Sequence, residues 1–369
     1  MEVRKGYKQT EVGVIPNEWD VRSLGRFVAL QRGHDLTEHD RRQGEVPVMG
    51  SAGPSGFHDI ALVRGPGVVL GRSGASFGQA HYCKTAFWPH NTALYVTDFF
   101  GNHPLFAFYF LKGIDFSRYN SGGAQPSLNR NFVAPILVAV PKREEQESIA
   151  EALSDADALI ESVEQLLAKK RQLKQGAMQE LLTGNKRLPG FSGEWELRAL
   201  GEIATANKGS QLSSSEMTEH GRFAHLNGGI SASGYTNKSN ALGDTIAISE
   251  GGNSCGFVQF MSEPYWCGSH CYSVIPNRVD NRFLYHALKA QEPSITGLRV
   301  GSGLPNVQKT ALLAFKLRCP KASEEQCAIA AILSDMDAEI AALEEKLVKA
   351  RQVKQGMMQE LLTGKIRLV

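Results

Sequence analysis

Two Gly-x-Ser-x-Gly segments are the residues of this chain whose types and spacing could do covalent chemistry. They are Gly74–Gly78 and Gly252–Gly256, and the same pattern holds the nucleophilic serine of many hydrolases on a sharp turn between a strand and a helix. Here a strand-like alternation of apolar and polar residues follows each serine. No equivalent set of His and Asp residues recurs in the two halves. The pattern favours a turn between two strands, with a serine hydrolase using Ser76 or Ser254 as an alternative.

Cysteine and histidine residues suggest a second kind of chemistry. Cys255, Cys267, His270 and Cys271 are residue types that bind zinc, but they lack the paired Cys-x-x-Cys element of most zinc sites and lie in a strand-like run. We therefore predict no metal site. The six cysteines are scattered along the chain, which is not the pattern of a disulfide framework, so we expect reduced thiols.

Other catalytic patterns are absent from the sequence. It contains no Walker A phosphate loop, no dinucleotide-binding glycine fingerprint that opens a helix, no His-Glu-x-x-His and no methyltransferase-type Pro-Pro motif. A chain of 369 residues has room for two domains and connecting helices. We therefore expect a recognition protein and not an enzyme.

Charge and hydropathy narrow the possible partners. Lys and Arg number 40 against 38 Asp and Glu, a net charge of +2, so binding to nucleic acid would depend on clustered loops or on a partner that adds phosphate contacts. There is no run of 18 apolar residues, and the first residues do not open a secretory signal. We expect a cytoplasmic protein.

The elements that position these residues include a long internal repeat. Residues 144–188 recur at 324–368, and 28 of the 45 aligned positions are identical. The stretches that precede the two copies resemble each other only faintly. A period this long does not fit a solenoid, and the pattern instead suggests alike connectors that present two different recognition modules.

Apolar residues in each copy recur at steps of four and three, which predicts a coiled-coil helix. Pro141 and Pro320 precede acidic first turns, and Gly184 and Gly364 end the segments. A helix from about 144 to 182 would be about 58 Å long at 1.5 Å per residue. The pattern slips at Lys170 and Lys174. It would resume at Leu173, Ala177 and Leu181 in the first copy and at Val353, Met357 and Leu361 in the second. The predicted interface positions are Ile149, Leu153, Ile160, Val163, Leu167, Ile329, Leu333, Ile340, Leu343 and Leu347.

Chain order predicts how the helices pair. The first helix begins at module one and ends at module two, so a second helix that pairs with it must run back, and the pair is antiparallel. The C-terminal tail would then return near the N-terminus, and a pseudo-two-fold axis would cross the pair. The alternative is that each helix packs only on its own module.

Faint internal similarity indicates that both modules share one fold. Residues 18–25 match residues 194–201, and an offset of 178 aligns the two glycine-rich turns and places Trp88 on Trp266. The tryptophans are expected to be structural. Val, Ile, Phe and Tyr runs broken by Gly and Asn predict a twisted mixed sheet, with short helices near 105–112 and 282–290. The predicted fold class is α+β.

One family resemblance unites these observations. The chain resembles the specificity subunit of type I restriction-modification systems through Val-Gly-Val-Ile-Pro-Asn-Glu-Trp at 12–19 and two motifs present twice, Glu-Glu-Gln-x-x-x-Ile-Ala-x-x-Leu-Ser-Asp-x-Asp-x-x-Ile and Arg-Gln-x-Lys-Gln-Gly-x-Met-Gln-Glu-Leu-Leu-Thr-Gly. The resemblance covers the whole chain. It implies target-recognition domains at 1–140 and 189–319, with long spacer helices at 141–188 and 320–369.

The resemblance also implies a function. Each domain would read one half of a bipartite, asymmetric DNA site, and the coiled coil would set the spacer, near one duplex turn of about 34 Å, and dock two modification (methyltransferase) subunits. Restriction subunits, which carry the motor and the nuclease, would join the complex. This chain would be non-catalytic and would bind no cofactor, because S-adenosylmethionine, ATP and Mg²⁺ would belong to the partner subunits.

Candidate contacts with double-stranded DNA follow from side-chain chemistry alone. Arg and Lys suit guanine or phosphate, and Asn and Gln suit adenine. The candidates in the first module are Arg72, Ser76, Gln79, His90, Asn91, Arg118, Asn120 and Arg130. Those in the second are Lys208, Asn227, Lys238, Asn253, Arg299, Asn306 and Lys309.

The alternative from another class is a coiled-coil adaptor whose two modules bind peptides or glycans. A salt-dependent mobility shift with DNA in the presence of methyltransferase subunits would distinguish the two hypotheses. An unreactive result with a fluorophosphonate probe would remove the serine-hydrolase alternative.

Overall fold

The structure is a computed structural model that describes residues 4–120, 126–301 and 303–368. Its contacts divide the chain into two compact units. Unit 1 comprises the chain up to Glu164 together with the residues from Lys346 onward, and unit 2 is Gln165–Glu345. The finer division of the sequence at residues 140, 188 and 319 stays a prediction.

Unit 1 is built mainly of short antiparallel strands. A four-stranded sheet has the order Ala29–Arg32, Ala93–Asp98, Gly67–Gly71, Ala80–Cys83, and a three-stranded mixed sheet has the order Gly53–His58, Val46–Gly50, Trp88–Pro89. Two further pairs join Tyr7–Thr10 to Gly13–Pro16 and Asp20–Ser23 to Leu137–Val140. The short helices are Leu24–Phe27, Pro104–Gly113 and Arg130–Val133, with 3₁₀ turns at Gly74–Ser76 and Phe116–Tyr119.

Unit 2 repeats this arrangement. Its four-stranded sheet has the order Ala204–Lys208, Cys271–Pro276, Thr245–Ser249, Val258–Met261, and its mixed sheet has the order Gly234–Thr236, Phe223–Leu226, Trp266–Cys267. One further pair joins Trp195–Ala199 to Lys316–Pro320. The short helices are Leu200–Ile203, Asn281–Ala290, Glu292–Thr296 and Lys309–Ala314, with a 3₁₀ turn at Ser214–Glu216.

The hydrophobic effect explains the central strands. All five residues of Gly67–Gly71 and all five of Thr245–Ser249 are buried, as expected of strands covered on both faces. The helices Pro104–Gly113 and Asn281–Ala290 lie where the sequence predicted short helices. Together with the mixed sheets, these elements confirm the predicted α+β fold class.

Two helices of 39 residues each, Arg143–Leu181 and Ser323–Leu361, are the first and second long helices. The first begins in unit 1 and ends in unit 2, and the second runs from unit 2 to unit 1. The chain leaves both through a glycine in the left-handed region, with φ of 75° at Gly184 and 72° at Gly364. Glycine adopts this backbone conformation without the strain that most other residues would have. The predicted glycine caps are therefore confirmed.

Within unit 1 the two long helices are antiparallel. Lys354 contacts Asp157, and Arg351 donates to Glu164 at 2.5 Å. Residue numbers thus rise along one helix while they fall along the other. The tail after the second long helix returns to the start of the chain, where the Tyr7 hydroxyl donates to the carbonyl oxygen of Gly364 at 2.9 Å. The predicted return of the tail is confirmed in the described residues.

Within unit 2 the same antiparallel order holds. Arg171 donates to Glu344 at 2.6 Å, and Lys174 contacts Asp337. These two pairs repeat those of unit 1 at the repeat offset of 180, with the helices exchanged. The charged positions of the repeat thus serve the same contacts in both units.

The predicted continuation of the apolar stripe is wrong at two of its six positions. Leu181 and Leu361 are buried, and Ala177 and Met357 are half-buried. Leu173 and Val353 leave 51% and 54% of their surface exposed. The next residues, Lys174 and Lys354, turn inward instead, with side chains only 15% and 11% exposed. Each lysine meets an aspartate of the facing helix in its own unit, so its charge is paired where the packing expected an apolar side chain.

The ten predicted interface side chains are all shielded from solvent to some degree. Ile160, Ile340 and Leu343 are half-buried and the other seven are buried. Ile149 and Leu153 also belong to the hydrophobic core that contains the sheet of unit 1, and Ile329 and Leu333 belong to that of unit 2. The start of each long helix therefore packs on its own module as well, and the interface assignment stays a prediction.

Candidate nucleic-acid interface

A polar cleft opens at one end of the four-stranded sheet of unit 1. Its volume is about 780 Å³, and Arg32, Arg72 and Arg130 line it together with a single acidic residue, Asp35. Arg32 ends one strand, Arg72 directly follows the buried strand Gly67–Gly71, and Arg130 begins a short helix. Loops and strand ends thus bring three guanidinium groups to one opening, which suits an anionic ligand.

Backbone hydrogen bonds fix Arg72 in this cleft. Its N–H donates to the carbonyl oxygen of Thr92 at 3.0 Å, and its carbonyl oxygen accepts from the N–H of Leu128 at 2.7 Å. Its Nη1 makes a longer contact of 3.4 Å with the carbonyl oxygen of Asn91. Because only this one side-chain contact holds the guanidinium among the described residues, most of its donors remain available to a ligand.

A close approach of two backbone segments forms the cleft wall. A Cβ atom on Gly33 would lie 2.2 Å from the carbonyl oxygen of His90, so only glycine fits there. The His90 ring lies 3.0 Å from the Thr92 hydroxyl. The Asn91 amide donates to Asp35. His90 and Asn91 therefore lie beside the cleft but already have partners within the protein.

The other candidates of unit 1 lie outside the lining of this cleft. Ser76 ends the 3₁₀ turn Gly74–Ser76, and Gln79 lines a second cavity of about 500 Å³. Arg118 is exposed and lies 3.8 Å from Asp115. The Asn120 side chain accepts from the N–H of Ser127 at 2.9 Å.

The glycine-rich turns do not form a nucleophile elbow. The strand Ala80–Cys83 follows the turn at Ser76, and the strand Val258–Met261 follows Ser254. An elbow requires a helix immediately after the serine. The predicted turn between two strands is confirmed in both units, and the geometry gives no support to a serine hydrolase.

The equivalent region of unit 2 carries a carboxylate. Glu250 accepts from Lys208 Nζ at 2.7 Å and from the Tyr272 hydroxyl at 3.0 Å. Burial has the largest effect on the pKa of Tyr272 and raises it above its usual value. The hydrogen bond to Glu250 and the negative charge of that residue raise the pKa further, so the phenol remains a donor. Lys208, a predicted contact, is therefore paired in this structure.

The remaining candidates of unit 2 are three residues near Glu250 or near the helix Lys309–Ala314, and three that are exposed or already paired. Asn227 lies near Glu250, since both contact His270. The N–H of His270 donates to Oδ1 of Asn227, and the N–H of Glu250 donates to the carbonyl oxygen of His270. Lys309 begins a short helix, as Arg130 does in unit 1, and Asn306 precedes it. Asn253 and Arg299 are exposed, and Lys238 pairs with Glu216.

Two residues of these regions were missed by the sequence reasoning. Arg32 lines the cleft of unit 1, and Glu250 lies at the corresponding place in unit 2. The signal for Glu250 was present, since Arg72 and Glu250 each stand two residues before the aligned glycine-rich turns. The predicted contacts were basic, amide, serine and histidine side chains, whereas Glu250 is acidic.

Buried cysteines belong to the cores. Cys255 lies in the main hydrophobic cluster of unit 2, whereas Cys267 and Cys271 lie in a separate one. Within residues 4–120, 126–301 and 303–368, no three His, Cys, Asp or Glu side chains are grouped so that they could hold a metal ion. No helix in that part of the chain is long and apolar enough to cross a membrane.

Comparison with known proteins gives a consistent result. The family described as "Type I restriction modification DNA specificity domain" matches residues 16–170 and 192–350, which is more than half of the chain. A protein of Mycoplasma pneumoniae described as a type I specificity subunit is 34% identical over 172 residues, 46% of this chain and 46% of the relative. The chain thus spans about half the length of that relative.

Other relatives match along almost the whole chain. A type I restriction enzyme specificity subunit of Methanocaldococcus jannaschii is 25% identical, with 96% of this chain and 94% of the relative covered. The crystal structure of a type I restriction-modification system S subunit from M. genitalium has a TM-score of 0.76 at 19% identity, with 98% of each chain covered. At this identity, the likeness to the crystal structure shows a shared fold.

Proposed function

Because this chain belongs to the type I restriction modification DNA specificity domain family, we propose that it selects the DNA sequence on which a type I restriction-modification complex acts. Each unit reads one half of a bipartite, asymmetric site. The observation that carries this proposal is the pair of like-folded units whose corresponding regions hold different side chains, Arg72 in one and Glu250 in the other. Two alike scaffolds with unlike contacts suit two unlike half-sites.

The cleft of unit 1 supports a role in DNA binding. Arginine is the side chain best suited to bidentate contacts with guanine and with phosphate. Arg72 follows a fully buried strand, so its backbone is held rigidly, and Arg130 begins a helix whose preceding residue, Asn129, caps it through the N–H of Asn131. We assign Arg72 to base contact and Arg130 to phosphate contact.

The long helices act as a ruler and a docking surface in this proposal. The half-sites would lie on opposite strands, about one duplex turn or 34 Å apart. Two modification subunits would dock on the helix pair. In unit 1 this pair has an apolar groove of about 470 Å³, and Leu159 and Val353 in its lining are exposed, which supports a protein partner there.

Catalysis belongs to the partners in this proposal. Methyl transfer, translocation and cleavage would take place on modification and restriction subunits, which would carry S-adenosylmethionine, ATP and Mg²⁺, and this chain would hold no cofactor. The complex would act in the cytoplasm. The adaptor hypothesis with peptide- or glycan-binding modules gains no specific support from the geometry.

The test is a map of methylated adenines. This chain is expressed with the modification subunits of its host, and methylated positions are read across the genome. We expect one motif made of two fixed halves with a constant gap. Exchange of residues 1–140 for the corresponding module of a relative should change one half and leave the other intact. If both halves change together, or if no bipartite motif appears, the proposal is wrong.

A further inference from the structure

Arg72 and Glu250 occupy the same backbone position in the two units. The N–H of Glu250 donates to the carbonyl oxygen of His270, and its carbonyl oxygen accepts from the N–H of Val307, both at 2.8 Å. Arg72 makes the same two bonds with Thr92 and Leu128, the residues that correspond to His270 and Val307. Two identical backbone bonds thus hold side chains of opposite charge.

Neighbouring positions correspond as well. Arg32 of unit 1 pairs in its sheet with Leu94, and Lys208 of unit 2 pairs with Tyr272 in the same register. A Cβ on Gly209 would lie 2.2 Å from a carbonyl oxygen, as for Gly33. The close approach of backbone that forms the wall of the cleft therefore exists in both units.

Unit 2 holds its carboxylate in a fixed orientation. The Glu250 side chain is 12% exposed, and Lys208 donates to its Oε1 at 2.7 Å. The Tyr272 hydroxyl lies 3.0 Å from the same Oε1 and 3.1 Å from the carbonyl oxygen of Val307, so these two acceptors share its proton. Among the described residues, Oε2 has no hydrogen-bond partner. The aliphatic Leu94 stands in unit 1 where Tyr272 donates in unit 2. The tyrosine thus accompanies the carboxylate, and the pair forms an oriented acceptor.

Electrostatics limits what this acceptor can contact. A carboxylate is repelled by phosphate, so Glu250 does not serve the backbone contacts that dominate affinity. Within the major groove, however, the exocyclic amino group of cytosine is a donor that Glu and Asp accept from. Lys208, with a side chain 52% exposed, offsets the charge of the carboxylate at the surface of the protein.

We infer that Glu250 is a specificity-determining residue of unit 2, whose free carboxylate oxygen accepts a hydrogen bond from N4 of a cytosine in its half-site. Arg72 has the corresponding place in unit 1 and donates to guanine. Lys208 and Tyr272 are positioning residues that orient the carboxylate. This inference rests on the proposed function, because it assumes that each unit reads one half of the site.

The experiment measures base preference and not only affinity. The complex of this chain with its modification subunits is bound in competition to duplexes in which each base pair of the site is varied in turn. Glu250→Gln should lower the preference for cytosine at one position of the unit 2 half-site by about 10- to 100-fold, because one good base contact discriminates by that order. All other positions should keep their preferences.

Two further variants and one control complete the test. Glu250→Arg combined with Tyr272→Leu introduces the side chains that unit 1 has at these two positions and should shift the preference from cytosine to guanine. Glu196→Gln also removes a carboxylate that a lysine contacts, Lys321 at 3.1 Å, and should change no preference. Lys208→Met removes a partner of Glu250 and should broaden the preference at the same position.

The outcomes separate the two proposals. If the unaltered complex reads a bipartite site but Glu250→Gln lowers affinity equally for all duplexes, Glu250 has only a structural role and the inference is overturned. If the unaltered complex reads no bipartite site, the proposed function fails, and this inference fails with it. A changed preference in the other half-site would also overturn the assignment of Glu250 to unit 2.

Discussion

The hydroxyl of Tyr109 donates a hydrogen bond of 2.8 Å to Oδ2 of Asp157, which joins the helix Pro104–Gly113 to the first long helix in unit 1. Lys354 of the second long helix contacts the other oxygen of the same carboxylate. Burial, followed by the hydrogen bond and the charge of Asp157, raises the pKa of Tyr109 well above its usual value. One carboxylate therefore connects three helices of unit 1.

Tyr109→Phe should loosen this connection. Loss of one hydrogen bond to a charged acceptor costs about 1.5–3 kcal/mol, and the lower part of that range is expected because Asp157 keeps Lys354. Faster amide hydrogen exchange in the helix 104–113 would report the loss. Tyr235 is exposed and makes no side-chain hydrogen bond among the described residues, so Tyr235→Phe is the matched control. Unchanged exchange in Tyr109→Phe would refute the link.

In unit 2, His286 holds the place of Tyr109. Its Nε2 lies 3.0 Å from the Ser334 hydroxyl, and its Nδ1 lies 3.9 Å from Oδ2 of Asp337. Burial lowers the pKa of His286 to about 4, against the opposing effect of the Asp337 charge. The other charged groups that act on it are Lys174, Arg282 and Asp280.

Unit 2 should therefore lose stability in mild acid. Because the pKa of His286 is lower in the folded than in the unfolded state, the unfolded chain binds more protons below about pH 6.5. Stability is complete above that pH and falls as the pH approaches 4, by up to roughly 3 kcal/mol. Urea unfolding of unit 2 at pH 7 and at pH 5, monitored through hydrogen exchange, measures the loss of stability.

His286→Gln should reduce this pH dependence, because the amide can still bond to Ser334 but does not titrate. The control is His220→Gln, since His220 is exposed in the same unit. An equal pH dependence in His286→Gln and in the unaltered protein would contradict the assignment of the effect to His286.

Arg367 neutralises a buried carboxylate in unit 1. Glu145 has a side chain 1% exposed and receives hydrogen bonds from Arg367 and from Trp19 Nε1, the latter at 2.8 Å. Arg367→Met should destabilise unit 1 by about 3 kcal/mol, because it leaves a buried charge without its counter-ion. Unfolding of unit 1, measured by hydrogen exchange, gives the value.

A double variant tests the reason for that loss. If an unpaired charge is the cause, Arg367→Met combined with Glu145→Gln should cost less than the sum of the two single changes. Additive costs would argue against it. In unit 2, Arg187 makes a bidentate pair with Glu325, and Arg187→Met should destabilise that unit and not unit 1.

Arg130→Gln should weaken DNA binding without changing its sequence preference. A phosphate contact releases a bound counter-ion, so its loss should reduce the slope of log affinity against log salt by about 1. Titrations of the complex at several salt concentrations measure the slope. Arg26→Gln removes an exposed arginine outside the cleft and should leave the slope unchanged. A changed base preference in Arg130→Gln would assign this residue to base contact instead.

Shortening of the long helices should shorten the gap between the half-sites. Deletion of four matched residues from each helix removes about 6 Å at 1.5 Å per residue, close to two base pairs at about 3.4 Å each. The methylated motif of the variant should keep both halves and lose about two base pairs of spacer. An unchanged gap would show that the helices do not act as the ruler.

Local chemistry explains why much of the architecture was predictable. The repeat, its glycine caps and the turn after each Gly-x-Ser-x-Gly segment depend on residues close in sequence, whose periodicity and backbone freedom can be read directly. Trp19, predicted to be structural, is fully buried. The predicted stripe was wrong at Leu173 and Val353 because the lysine that follows each of them is buried in its place. A buried lysine is stable only where an aspartate pairs with it, and here that aspartate lies on the other long helix. The apolar periodicity of one helix does not encode such a pair.

The sequence by itself determined the α+β class, the two long helices and the likeness of the modules, since hydrophobic periodicity and internal repetition encode these features. Only the tertiary structure decided which polar side chains share a cleft. Arg32, Arg72 and Arg130 come from a strand end, a loop and a helix start far apart in the chain. Their convergence, and the matching place of Glu250, follow from long-range hydrogen bonds between backbone segments.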